Sequence, residues 1–184
     1  MKHVVQAIQE VCTDRQNSIL AIETGTIRSF NEKHESTRHI AETLGERGEL
    51  ISIDINEESI AISKKICINL SNITWIVSDS LTYFKHLTNE IFDFVLLDSM
   101  NDQDFIFNEF CLVLPHMRVG GIIMIDDAGI TVDGKQYDDT PAQKGRKVWA
   151  FLNKHNIPYA VLPIPHRKET QLKVWFTKDI LDRL

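Results

Sequence analysis

Ser18-Ile19-Leu20-Ala21-Ile22-Glu23-Thr24-Gly25-Thr26 is the stretch whose reading decides the fold. Residues 18–22 form a short apolar run, the length of a strand buried on both faces. A carboxylate follows, then a glycine, where the backbone can turn sharply or approach a ligand closely. The same event recurs downstream. Leu50-Ile51-Ser52-Ile53 runs into Asp54, and Ile73-Thr74-Trp75-Ile76-Val77 into Ser78-Asp79. Phe92-Asp93-Phe94-Val95-Leu96-Leu97 runs into Asp98, and Gly121-Ile122-Ile123-Met124-Ile125 into Asp126-Asp127. Ligands of an open α/β sheet bind outside the carboxyl ends of its parallel strands. Glu23, Asp54, Asp79, Asp98, Asp126 and Asp127 would therefore share one edge. Their mutual repulsion calls for a cation or hydrogen-bond donors, so the expected ligand offers hydroxyls to grip and positive charge to hold.

Helical patterns fill the gaps between these strands. Val4, Ile8, Val11 and Cys12 predict an amphipathic helix ahead of the first strand. A second helix is expected from Ser36 or Thr37, burying Ile40, Ala41 and Leu44 and ending at Gly45 or Gly48. Asn56 can cap a third, with Glu57 and Glu58 in its first turn and Ile62, Ile66 and Leu70 facing inward. A short helix spans about Leu81 to Leu87, and another starts near Asp102, turns Ile106, Phe110, Val113 and Leu114 inward and stops at Pro115. Gly120-Gly121 opens the fifth strand, and a polar loop covers Gly129 to Asp139. Thr140-Pro141-Ala142-Gln143 reads as a capping box for a helix carrying Val148, Phe151, Leu152 and His155. Strands at Tyr159 to Leu162 and Leu172 to Phe176 close the chain, joined by a turn holding Pro163, Pro165, His166, Arg167 and Lys168. The alternation predicts a Rossmann-like, doubly wound α/β fold: seven strands, mainly parallel, with an antiparallel C-terminal hairpin and helices on both faces.

The bulk numbers agree with one domain. The chain has 184 residues, 43% of them hydrophobic and 25% charged, enough for a complete core. Its net charge of -6 argues against a partner that is nucleic acid. Cys12, Cys67 and Cys111 are widely spaced, an odd number, and read as reduced thiols. No run of 18 apolar residues and no leader-like first segment is present, so no membrane association and a cytoplasmic location are expected. Within the single domain, residues 1–17 form an N-terminal helix, 18–127 the core, and 128–184 an outer loop, helix and hairpin.

Ile22-Glu23-Thr24-Gly25-Thr26, Asp54, Asp79-Ser80, Phe92-Asp93-x4-Asp98 and Gly120-Gly121-x4-Asp126-Asp127, in that order, resemble class I S-adenosylmethionine-dependent methyltransferases. Within that superfamily the chain is similar to the small-molecule O-methyltransferases, including a branch with a metal beside the methyl donor. The resemblance implies methyl transfer to a hydroxylated small molecule. It places Glu23, Thr24 and Gly25 against the methionine part of the cofactor, Asp54 on the ribose hydroxyls with Ile55 beside it, and Asp79 with Ser80 at the adenine. It makes Asp98 and Asp126 catalytic, with Asp98 also touching the cofactor, and matches Asp98, Asp126 and Asp127 to positions that hold a divalent cation, for which Mg²⁺ suits. Ser99-Met100-Asn101 carries neither the lysine that catechol-type members use as base nor the histidine of another branch.

Alternatives stay open on the residues alone. Glu23 and Asp54 can simply terminate strands, and Asp127 can cap a turn, leaving Asp126 alone in the site. His34, in the loop after Gly25, is a candidate base; His116, His155 and His166 read as ordinary, and Trp75 and Trp149 as packing. Two other functions compete: a catalytically silent partner subunit that binds the cofactor, and a nicotinamide-dependent oxidoreductase, which lacks its Gly-x-Gly-x-x-Gly loop here. A homodimer is compatible with either.

Overall fold

The first strand is longer than its apolar core. In the computed structural model, which describes residues 1–15, 17–27, 36–135, 143–164 and 169–183, β1 covers Ile19–Thr24 and takes Glu23 into the sheet. Parallel strands β2 (Gly48–Asp54) and β4 (Phe92–Leu97) flank it. β3 (Ile73–Val77) lies outside β2, β5 (Met117–Ile125) outside β4, and the hairpin of β6 (Tyr159–Pro163) and β7 (Thr170–Trp175) pairs antiparallel through β7 onto β5. The order is β3-β2-β1-β4-β5-β7-β6.

Alternation sorts the core into two layers, because successive strand residues point to opposite faces. Phe94, Leu96, Ile122 and Met124 meet α1 (Lys2–Asp14) and α2 (Ser36–Leu44), which contribute Val4, Ile8, Ile40 and Leu44. Val95, Leu97, Ile123 and Ile125 meet α5 (Gln103–Val113) and α6 (Arg146–Lys154) through Ile106, Phe110, Val148 and Leu152. All six residues of β4 are buried, so this strand is the spine of the domain. Each such side chain contributes roughly 1.5–3 kcal/mol by leaving water.

Several local expectations are met. Asn56 Oδ1 accepts from the amides of Glu58 and Ser59 and caps α3 (Glu57–Ile66); Asp102 does the same for α5. The short helix expected from about Leu81 is α4 (Ser80–Lys85), and Asp79, not expected as a cap, caps it by accepting from Thr82. The three cysteines are free thiols. Among the described residues no helix is long and apolar enough to cross a membrane.

Others are corrected. α3 buries Ser59, Ile60, Ser63 and, just past its end, Cys67, while Ile62, Ile66 and Leu70 are only half covered. Small serines let the helix lie close at the sheet edge, so its phase follows their fit and not the isoleucines. β5 begins at Met117, ahead of Gly120-Gly121, which sits within the strand as an irregularity with Gly120 at φ 79°. α6 begins at Arg146; Gln143 lies ahead of it and Lys144-Gly145 form a turn. Thr140-Pro141-Ala142, His34 and Pro165 to Lys168 fall outside the described residues, as do Asp138 and Asp139. A last short helix, α7 (Lys178–Leu181), follows β7.

The other end of the sheet explains Asp93. Its carboxylate, 1% exposed, accepts from Leu20 N–H and pairs with Arg118 at 2.8 Å and Arg15 at 3.3 Å. It ties α1, β1 and β5 together far from the carboxyl edge.

Candidate active site

Asp54 ends β2, and Gly25, Asp98 and Asp126 follow directly on β1, β4 and β5, so four neighbouring parallel strands deliver them to one edge. Between β1 and β4 the strand order reverses, the place where an open α/β sheet leaves a crevice. A cavity of about 600 Å³ lies there, walled by Gly25, Thr26, Asp54, Asp98, Asp126 and Lys144, among others. A neighbouring cavity of about 380 Å³ shares Gly25, Asp54, Ile55 and Ser99 and extends to Asp79, Ser80 and Phe105. Together they form one trough from the acidic cluster to the start of α4.

Asp54 is held rigidly. Its Oδ2 accepts from Thr26 N–H at 2.8 Å and the Thr26 hydroxyl at 3.0 Å, and its Oδ1 from Asn56 N–H at 2.8 Å. The donors fix the carboxylate in the cavity wall; Oδ2 is filled by its two donors, and Oδ1 keeps a lone-pair site for a ligand. Ile55 beside it is 72% exposed. Asp79 uses Oδ1 to cap α4 and lines the smaller cavity. Ser80, 5% exposed, lines it too.

Glu23 and Thr24 are both 0% exposed and belong to neither cavity wall, so of the Glu23-Thr24-Gly25 set only Gly25 lines the trough. Glu23 accepts from the Ser52 hydroxyl at 2.8 Å beneath it. Burial pushes its carboxyl up to about 7, against the hydroxyls of Thr37, Ser52 and Ser36, which favour the charged form. Thr24 accepts Asp98 N–H through its carbonyl at 3.0 Å, locking the two strand ends together. Gly25 is required by packing as well as by approach: it has φ 85°, and a Cβ there would stand 2.5 Å from the Asp98 carbonyl oxygen. Gly25→Ala should therefore cost roughly 1–3 kcal/mol of unfolding free energy, read by urea denaturation; an unchanged midpoint would contradict this packing.

The acidic cluster is real, and it has an occupant. One ligand oxygen each from Asp98, Asp126 and Asp127 lie within 4.8 Å of one another, a spacing open to a single cation. The Lys144 ammonium bonds Asp98 and stands 3.6 Å from Asp127 Oδ2, with only 3% of its side chain exposed. Gln171 of β7, 2% exposed, donates to Asp126 Oδ1 at 2.8 Å. Burial and the carboxylates of Asp126 and Asp127 raise the Asp98 pKa, burial first, while Lys144 pulls it down. Lys144 in turn is held charged: burial opposes the ammonium, and Asp98, Asp127 and Asp126 outweigh that effect. Backbone geometry delivers the lysine. Asp127 adopts φ 45°, its carbonyl accepts Lys144 N–H at 3.2 Å, and Gly145 packs so tightly that a Cβ would meet Ala128 at 2.9 Å.

Residues 35–128, just over half of the chain, match a protein-family model described as a methyltransferase domain. The chain belongs to that methyltransferase family. No curated protein matches it. Solved structures share the fold of this methyltransferase at low identity. Cofactor-bound Rv0187 from MTB has a TM-score of 0.74 at 16% identity, covering 95% of this chain and 79% of that one. The O-methyltransferase from Bacillus cereus in complex with SAH has 0.67 at 18%, covering 95% and 80%. The N-methyltransferase NodS from Bradyrhizobium japonicum WM9 has 0.60 at 14%, covering 94% and 92%. The methyltransferase thus has the class I, S-adenosylmethionine-dependent fold that its ordered motifs resemble.

One buried acid of the methyltransferase escaped the sequence reading. Glu109 of α5 is 0% exposed, and neither carboxyl oxygen has a hydrogen bond of good geometry among the described residues. Burial pushes its pKa from the ordinary 4.5 up to about 7, although the hydroxyls of Ser80, Ser99 and Thr24 pull the other way and Asp79 adds to the rise. Below 4.5 the folded and unfolded chains both hold the proton; between 4.5 and about 7 the unfolded chain ionises first, so stability falls as pH rises, then levels. Glu109→Gln should remove that slope, narrowing the stability difference between pH 5 and pH 8 by about 2–3 kcal/mol in denaturant titrations. An unaltered pH dependence would contradict the assignment.

Proposed function

We propose that this methyltransferase binds S-adenosylmethionine along the trough and moves its methyl group to a hydroxyl of a small molecule. The residues fit the cofactor by chemistry: Asp54 offers a fixed carboxylate oxygen for a sugar hydroxyl, Asp79 an acceptor for an amino group, and Phe105 with Ile53 an apolar wall. Bound there, the cofactor supplies a methyl already activated on a sulfonium. The protein is left with alignment and with charge.

The observation that carries the choice of acceptor is Lys144 beside Asp98 in the cavity wall. An oxygen acceptor must shed its proton to attack, and this corner offers a carboxylate to take that proton beside an ammonium to hold the oxygen until the new C–O bond neutralises it. Asp98 and Asp126 line the cavity, and one of these two carboxylates takes the single hydroxyl proton as the C–O bond forms and the C–S bond breaks. Asp98, Asp126 and Asp127 would also be the holders of Mg²⁺, and their oxygens suit that ion. The donor set as arranged does not fit it, because the Lys144 ammonium takes the contact with Asp98 and Gln171 takes Asp126 Oδ1. No step here is routed through a metal.

Methyl-labelled S-adenosylmethionine with a panel of phenols and sugars, and with amines and RNA as controls, tests the reading. Label on a hydroxyl is the expected result. Label only on an amine or RNA would overturn the acceptor class, and cofactor binding without any product would favour a silent partner subunit.

A further inference from the structure

We propose that the Lys144 ammonium is the resident cation of the acidic site, standing where a divalent metal would otherwise lie, so that methyl transfer proceeds without a metal. The inference deepens the methyltransferase reading and rests on it for the reaction, though the charge argument stands on the residues alone.

Three carboxylates within reach of one another at the mouth of a sheet repel strongly unless a positive group lies between them. The fold supplies that group from its own chain. Lys144 is nearly sealed from solvent, bonds Asp98, and lies near enough to Asp127 to compensate it too. An ammonium is desolvated at considerable cost, and only fixed anions make such burial tolerable. The delivery is built in: Asp127 binds both ends of the lysine, its carbonyl taking the Lys144 amide and its carboxylate facing the ammonium. Gly145 then lets the chain run against Ala128, where any side chain would push Lys144 away. Gln171 serves the third carboxylate with a neutral donor, so the cluster is compensated from two sides.

A single point charge with three N–H donors can do two of the things a divalent ion does for a hydroxyl acceptor: fix the oxygen and lower the cost of its negative charge. It cannot share the place with a metal. A divalent ion touching Asp98 and Asp127 together would meet the ammonium at contact distance, and like charges there exclude one another.

The test is Mn²⁺ binding to the full chain, measured by calorimetry and by the electron paramagnetic resonance of the free ion, for wild type, Lys144→Gln and Lys144→Arg. S-adenosylhomocysteine binding is measured in parallel on each. Wild type and Lys144→Arg should show no stoichiometric Mn²⁺ site at sub-millimolar concentration. Lys144→Gln should gain one, at least about tenfold tighter than any wild-type binding, and Asp126→Asn in the same background should lose it. The Lys144→Gln protein should also have a lowered Tm that Mn²⁺ restores, because the ion replaces the missing charge. A wild-type protein that binds one Mn²⁺ as tightly as the variant would overturn the proposal, and so would a variant that gains no site. Failure of the wild type to bind S-adenosylhomocysteine would instead strike the methyltransferase reading, leaving the Mn²⁺ comparison to decide the role of Lys144.

Discussion

Asp98→Asn should lower kcat by about 100-fold or more while weakening S-adenosylhomocysteine by less than about tenfold. The substitution keeps the shape of the side chain and removes its charge. Two consequences follow from one change. The acceptor loses a carboxylate able to take its proton, and the Lys144 ammonium loses its main partner. Cofactor grip suffers less, because Asp54 and Asp79 hold their own part of the trough and owe nothing to Asp98. Turnover under saturating cofactor and direct titration of S-adenosylhomocysteine check the two halves separately. Unchanged turnover at saturating cofactor together with weakened S-adenosylhomocysteine binding would show that Asp98 serves binding alone.

Asp54→Asn should do the reverse, weakening S-adenosylhomocysteine by about 10- to 100-fold with kcat little changed at saturating cofactor. The carboxylate presents two oxygens, each already aimed by a backbone donor, from Thr26 on one side and Asn56 on the other. An amide puts an NH₂ against one of those donors, so a bond is lost on that side and the donor there is pushed off. Charge-assisted bonds to ligand hydroxyls go with it. Calorimetric titration of the variant decides; an unchanged Kd would remove Asp54 from the cofactor site.

What was legible in the chain depended on how local its signal was. Strands ending in acid were visible because each pattern spans fewer than ten residues, and the sheet then gathers Asp54, Asp98 and Asp126 without further instruction. Lys144 gave no such signal. It sits in the polar run Gln143-Lys144-Gly145-Arg146-Lys147 and acquires its meaning from Asp98, 46 residues earlier in the chain. Gln171 reaches Asp126 across 45 residues, through the antiparallel pairing of β7 on β5, whose register no residue pattern specifies. Glu109 was legible in principle: it is an acid inside the inward stripe of Ile106, Phe110 and Val113, the place where a helix should carry none. Glu23 shows the opposite limit. Its position at the strand end was clear, but its side chain enters the core under the trough and meets Ser52, which only the register of β1 on β2 reveals.

The central claim is that the trough at the carboxyl edge is a cofactor site for methyl transfer. Calorimetric titration of S-adenosylhomocysteine into the wild-type protein, with NAD as control, tests it most directly. The account predicts saturable one-to-one binding of S-adenosylhomocysteine and none of NAD. Absence of S-adenosylhomocysteine binding, or binding of NAD in its place, would contradict it.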